Sequence, residues 1–261
     1  MMRQGDGLLL TLLVLTAGLV IADGMTGGAV ASWAQANVPG LAQQTGAVLG
    51  WIGAKAWPVL FLPLVLALVS KVQTLPGRSI RSVLWSIKLT ESITGSIGGA
   101  ARWFALGLVI ATAIIVVQRY VFGYASTKLQ ESVIYMHALL FLLAAASTLM
   151  ADGHVRVDIF IAKASARGRA WVDLFGTYLA LFPMSALILW ASTGYMNSTW
   201  RILERSRESD GLPFVFLLKT AIPLFAILMI LQGIAIAGRA VLTLAGEEPP
   251  ARPKNLGEGE V

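Results

Sequence analysis

Six apolar stretches recur along the 261 residues, each close to the length a helix needs to cross a bilayer, and they constrain the fold more than any other feature. A hydrocarbon core of ~30 Å takes about 20 helical residues. The clearest stretch is Trp103 to Phe122, which has no charged residue from Phe104 to Val117 and only Thr112 as a polar side chain there. The others are Gly7 to Ala22, Val48 to Ser70, Val133 to Met150, Trp171 to Trp190 and Phe214 to Ile236. Lipid cannot satisfy backbone N–H and C=O groups, so only helices and closed barrels span. No strand-like alternation long enough to rival the helical runs occurs. Charged residues make up 13% of the chain, against about 25% in soluble domains. The expected fold is an all-α integral membrane protein with about six transmembrane helices.

The first run has a rival reading as a signal peptide, because Ala29-Val30-Ala31 looks like a cleavage site. Its leading segment carries only Arg3 with Asp6 beside it, and the apparent site lies well past the run, so a retained helix is expected. The second run contains Lys55, Pro58 and Pro63, which predicts a kink; Lys55 can snorkel to the nearer interface. Trp103, Tyr120, Trp171, Trp190 and Trp200 fall near run ends, where interfacial aromatic residues anchor helices. With the N-terminus in the cytoplasm, 13 Lys and Arg residues fall inside and five fall outside: Arg119, Lys128, Arg201, Arg205 and Arg207. Positive charge stays inside, so both termini are expected in the cytoplasm.

Between the second and third runs, Ile80, Val83, Leu84 and Ile87 fall at i, i+3, i+4 and i+7 among charges. That spacing predicts an amphipathic helix on the cytoplasmic interface, with a solvated loop as the alternative. Gly95, Gly98 and Gly99 are expected to loosen the chain before the third span. The tail from Glu247 has the composition of a disordered end. The expected organisation is a two-helix extension over 1–72, an interfacial segment over 73–102, a four-helix core over 103–240 and a disordered cytoplasmic tail over 241–261.

Chemistry is sparse. The absence of cysteine excludes disulfides, thiolate metal sites and a cysteine nucleophile. The net charge of +6 is spread over short segments between apolar runs, so nucleic acid is not an expected partner. His137 and His154 are 17 residues apart, about 25 Å along a helix, which prevents one metal or haem from taking both without a break. His137 reads as a hydrogen-bonded packing residue. No G-x-S-x-G or phosphate-loop motif occurs. Neither catalysis nor a bound cofactor is expected.

Lys219 is the one charge well inside a run. Burial at a helix centre costs about 2.5–3.5 kcal/mol, so it needs a partner, a polar cavity or a route to the interface. Snorkelling, contact with a protein partner or lipid phosphate, and substrate binding all remain open for it. Gln232, deeper in the same run, reads as an interhelical hydrogen-bonding residue. Arg119 and Glu131 flank a short loop, each at the helix end its charge favours, where local capping, mutual pairing or an interface role are open.

Three segments then resemble a known family. They are Gln118-Arg119-Tyr120-Val121-Phe122-Gly123; Leu129-Gln130-Glu131-Ser132 with Tyr135 and His137; and Asp152 to Phe160, which reads DGHVRVDIF. In order and spacing they resemble the central signature of the small permease subunits of tripartite ATP-independent periplasmic (TRAP) transporters. A looser match continues through Ser198, Trp200, Glu204, Ser206, Glu208, Gly211-Leu212-Pro213, Leu218-Lys219, Ile222-Pro223 and Leu231-Gln232-Gly233. The resemblance covers about residues 80–240 and has the flavour of the mannitol or chloroaromatic branch, which includes transporters of oxo acids. The two preceding runs depart from the four-helix pattern of the family.

The resemblance implies a bacterial inner-membrane subunit. A large permease subunit would carry the solute with sodium, and a periplasmic solute-binding protein would capture it. The small subunit would brace the large one, contact membrane lipids and help dock the binding protein during uptake of an organic acid. On that basis Arg119, Glu131, Arg201, Glu204, Arg205 and Glu208 are candidate partner contacts on the outer side. His154, Arg156 and Asp158 are candidates for fixing a cytoplasmic loop. The alternative is an accessory structural subunit of another membrane complex, recruited from the same fold.

Overall fold

The computed structural model describes residues 4–154 and 164–252, and every described element is helical. Helix α1 (Asp6–Met25) opens with an acidic residue in its first turn, which suits the positive end of the helix dipole. The Thr11 and Thr16 hydroxyls donate to carbonyls four residues back at 2.8 Å, leaving no unmet polar side group on an apolar helix. A turn at Gly27 and Gly28, both at positive φ, leads to α2 (Ala29–Ala56), and Asp23 accepts from the Ala31 N–H at 2.8 Å.

Helix α2 starts well before Val48, where the apolar run begins. Its first half is polar but rich in Ala and Gln, which are good helix formers. Asn37 and Thr45 return their side-chain donors to carbonyls of their own helix. At Trp57–Phe61 the α-helix gives way to a 3₁₀ turn containing Pro58, and α3 (Leu62–Val69) follows with Pro63 in its first turn, where the missing N–H has no carbonyl to lose. The expected interruption is therefore present, as a change of helix type.

Helix α4 (Gly77–Ala101) occupies the segment expected to be amphipathic, and only Arg102 separates it from α5 (Trp103–Val121). Gly95, Gly98 and Gly99 do not loosen it; the helix passes through all three. Gly99 instead admits the backbone of Gln4 and Gly5, into which any Cβ at that position would run. The chain continues as α6 (Thr127–Met150), α7 (Ala166–Gly176), a π-helical turn at Thr177–Leu181, α8 (Phe182–Ile202) and α9 (Val215–Ala245). Helix α9 runs nine residues past the apolar run that ends at Ile236, and Val241, Leu242 and Leu244 in the added turns are buried. Among the described residues five helical stretches are long and apolar enough to cross a membrane, and the broken α2–α3 pair makes a sixth.

The chain divides into two compact units, interleaved in sequence. The first takes Met1–Ile52, Ser96–Ala144 and Trp190–Leu224. In it Asp6 pairs with Arg102 at 2.5 Å and accepts from the Trp103 indole at 3.0 Å, which fixes the start of α1. Gly107 on α5 leaves room for the Met136 sulfur on α6.

The second unit takes Gly53–Gly95, Ala145–Leu189 and Phe225–Val261. Its core joins Ala67, Leu75, Ala170, Leu174, Ala237, Ala240, Val241 and Leu244. Val83 and Ile87 of α4 pack on Ala235 and Leu242 of α9, with Ile80 and Leu84 at the margin, so the apolar stripe of α4 is covered by protein. Small residues on α9 permit this approach, since a Cβ on Gly238 would lie 3.0 Å from Ile87. Polar contacts between α4 and α9 also sit within the unit. Arg239 grips both oxygens of Glu91 at 2.7 and 2.9 Å and also donates to the Pro250 carbonyl. Thr94 Oγ1 lies 3.1 Å from Gln232 Oε1.

Candidate functional site

The most elaborate polar arrangement in the first unit is built on the loop between α8 and α9. Helix α8 ends at Ile202, and Leu203 turns the chain with a positive φ of 45°. The Glu204 N–H then reaches back to the Thr199 carbonyl at 3.0 Å, the six-to-one bond of a Schellman ending. A leucine in the left-handed region is strained. Here the strained turn aims the next side chain, Glu204, at α9.

Glu204 is met by Lys219 from the first turns of α9, with Nζ at 2.8 Å from Oε1 and 2.6 Å from Oε2, and by the Thr199 hydroxyl at 2.7 Å. Lys219 lies four residues into the helix, about 6 Å along its axis. Its partner is therefore a carboxylate of its own chain. These contacts hold the Glu204 carboxyl below the usual carboxylate range, chiefly through the hydrogen bond from Lys219 and then through that from Thr199. Trp200 closes the same corner, donating to the Thr220 hydroxyl at 2.9 Å and meeting the Phe216 ring edge-on.

A second carboxylate holds the rest of the loop. Glu131, in the second turn of α6, accepts from the Ser206 hydroxyl with one oxygen and from the Leu212 N–H at 2.6 Å with the other. Ser206 in turn accepts from the Glu208 N–H at 3.1 Å, and its own N–H donates to the Leu212 carbonyl at 3.2 Å. Gly211 is required sterically, because a Cβ there would strike the Ser206 side chain and come within 2.8 Å of Glu131 Oε1. Tyr135, one helical turn beyond Glu131, has a buried hydroxyl with no hydrogen-bond partner among the described residues. The loop is thus fastened by Glu131 at 206 and 212 and by Lys219 at 204.

Of the residues singled out from sequence, the structure gathers Glu131, Glu204 and Lys219 around this loop. Arg201, Arg205 and Glu208 are exposed on or beside it. Arg119 is exposed in the last turn of α5 and does not pair with Glu131, whose two oxygens are engaged by the loop. Gln232 belongs to the second unit and is 1% exposed. His154 is exposed just past α6, while Arg156 and Asp158 lie outside the described residues. Among the described residues His137 is exposed and meets no packing or hydrogen-bond partner, because the side of α6 that meets α5 is the one bearing Met136.

Sequence reasoning passed over Thr199, Glu91, Arg239, Asp6 and Arg102 as partners. Arg239 had a readable signal, since it falls within α9 only three residues past an apolar run, yet its partner Glu91 is 148 residues away. Asp6 and Arg102 were hidden in the same way, 96 residues apart, whereas Thr199 is only five residues from Glu204 and meets it through the turn at Leu203.

The contacts hold the 203–214 loop in one arrangement at the start of α9. Among the described residues no three His, Asp or Glu side chains converge as a metal site would need. No curated protein and no solved structure matches the chain. Residues 108–243, just over half of the 261, match the family described as tripartite ATP-independent periplasmic transporters, DctQ component. Glu131, Glu204, Lys219 and the loop they hold all fall within that span, and so do α6, α8 and most of α5 and α9. On this match the chain belongs to the DctQ family, the small membrane subunits of TRAP transporters.

Proposed function

We propose that the chain braces the large permease subunit in the inner membrane of a bacterium and offers part of the surface on which the periplasmic solute-binding protein docks. The process served is sodium-coupled uptake of an organic acid or a related solute. The observation that carries this reading is the fastened 203–214 loop, which leaves Arg201, Arg205 and Glu208 exposed while Glu131, Glu204 and Lys219 are consumed in holding it. A preordered surface loses less conformational entropy on binding than a loop that must first be fixed. Both termini in the cytoplasm, as the distribution of Lys and Arg favours, put this loop on the periplasmic side. Helix α4 then lies at the cytoplasmic end of the spans, and its uncovered side meets lipid headgroups.

A carrier needs broken helices and convergent polar groups near the membrane midplane. Lys219 and Gln232, polar side chains inside α9 that the sequence singles out, are engaged by Glu204 and by Thr94. Transport chemistry therefore belongs to the large subunit. Liposomes containing the purified chain alone are expected to show no sodium-driven uptake, and uptake is expected when the large subunit and binding protein are added. Sodium-driven uptake by the chain alone would overturn the bracing role.

A further inference from the structure

Helix α6 has one side that the rest of the described chain leaves bare. Gln130, Ile134, His137 and Phe141 are all exposed, with Ile134 at 61% and Phe141 at 70%. At 3.6 residues per turn these four fall within an arc of about 60°. Met136 points to a different side and meets α5 at Gly107. The four positions therefore form a stripe, with a polar side chain at the helix start, an imidazole in the interior and two large apolar groups flanking it.

His137 is the informative member. It stands ten residues into a 24-residue helix with the length and composition of a membrane span, about 15 Å from the helix start. It has no hydrogen bond or ion pair among the described residues. His137 lies four residues past Val133, where the apolar run begins, about 6 Å into it, and lipid tails there offer an imidazole neither a donor nor an acceptor. Ionisable side chains within membrane helices almost always face protein or a polar cavity and pair there. An apolar side chain at 137 would make the stripe an ordinary lipid-facing surface. The imidazole instead calls for a partner that brings a hydrogen-bonding group into the membrane.

We propose that this stripe of α6 is the seat of a transmembrane helix of the large permease subunit. That helix carries a carboxylate or carbonyl acceptor level with His137 and small residues opposite Ile134 and Phe141. The complementarity is specific: the imidazole N–H requires an acceptor, and two projecting apolar groups require small residues to close around them. The inference rests on membership in a multi-subunit transporter and adds to it one helix face, one polar contact and one partner.

The absence of cysteine from the chain makes the test direct. Ile134→Cys and Phe141→Cys chains, coexpressed with the large subunit, are purified in mild detergent and labelled with a photoactivatable maleimide. Illumination is expected to give a covalent adduct with the large subunit from both positions. In parallel, His137→Leu is expected to lower the amount of large subunit that co-purifies by about threefold to tenfold, the range of one interhelical hydrogen bond in a membrane. His137→Gln, which keeps a donor, is expected to retain most of it. The leucine variant's own yield and monodispersity report that it folds, as an exposed leucine should allow.

Adducts only to lipid, adducts to a second copy of this chain, or undiminished co-purification of the leucine variant would each overturn the proposal while leaving the family role intact. If the wild-type chain brings down no large subunit, the bracing role fails and this inference fails with it.

Discussion

The two carboxylates around the 203–214 loop do different work. Glu131 receives neutral donors from the loop itself, whereas Glu204 is held by a cation that lowers its carboxyl below the usual carboxylate range. A carboxyl depressed in the folded chain adds stability above its ordinary value of 4.5, and that contribution is lost as pH falls through the depressed value. Glu204→Gln should accordingly unfold at lower temperature than wild type near neutral pH, and the gap should close as pH drops below 4.5. A gap that stays constant into acid would rule out the charge as its source. Arg239 and Glu91 are more deeply placed, at 8% and 13% side-chain exposure. Removing one partner of such a pair strands a buried charge and costs about 3–5 kcal/mol. Arg239→Leu should show that loss in a denaturation midpoint, and adding Glu91→Leu should restore most of it. Lys219 and Gln232 were legible in sequence as side chains needing partners, because a charge or amide in an apolar run is conspicuous. Their partners, Glu204 and Thr94, were not, because each sits on a different element.

Among the elements, α4 and α9 show what a helical pattern can and cannot specify. The spacing of Ile80, Val83, Leu84 and Ile87 marks an apolar face and does not say what covers it. In the structure α9 covers it, through Ala235, Gly238 and Leu242. Gly238→Leu should push against Ile87 and Val83 and cost about 1–3 kcal/mol by overpacking, read as a lower unfolding temperature in detergent. If the variant unfolds at the wild-type temperature, the close approach of the two helices is wrong. Helix α2 shows the reverse case. Its polar first half carries no membrane-length apolar signal, yet Ala and Gln propensity and side-chain bonds to its own carbonyls sustain a helix there.

In the molecule as a whole, the segment ahead of the family match is not uniform. Helix α1 contains no buried residue and is held at its start by Asp6 and the approach of Gly5 to Gly99. Helix α3 gives Ala67 to the core of the second unit, with Leu64, Leu66 and Val69 packed beside it, and the Leu60 carbonyl just before it accepts from Tyr178. We expect deletion of residues 1–25 to leave a chain that purifies and unfolds cooperatively, and deletion of residues 1–72 to yield aggregated or molten protein, as judged by size-exclusion profile and thermal melt. Equal behaviour of the two truncations would mean that α3 belongs with α1 as a separable extension. A two-helix extension over 1–72 is a natural sequence boundary because hydrophobicity counts spans without regard to what they touch.

The sequence by itself determined that the chain is helical and membrane-embedded, since both follow from local facts: runs of apolar side chains and a backbone that must satisfy itself in lipid. It also carried the family signature on α5, α6 and the segment after it. Only the tertiary structure decided which charges meet, because Glu131 reaches Leu212 across 81 residues and Glu91 reaches Arg239 across 148. It likewise decided which face of each helix is spent inside the chain. Helical periodicity fixes the faces, but pairing energy depends on atoms within about 3 Å, and no pattern along one helix specifies the neighbour that supplies them.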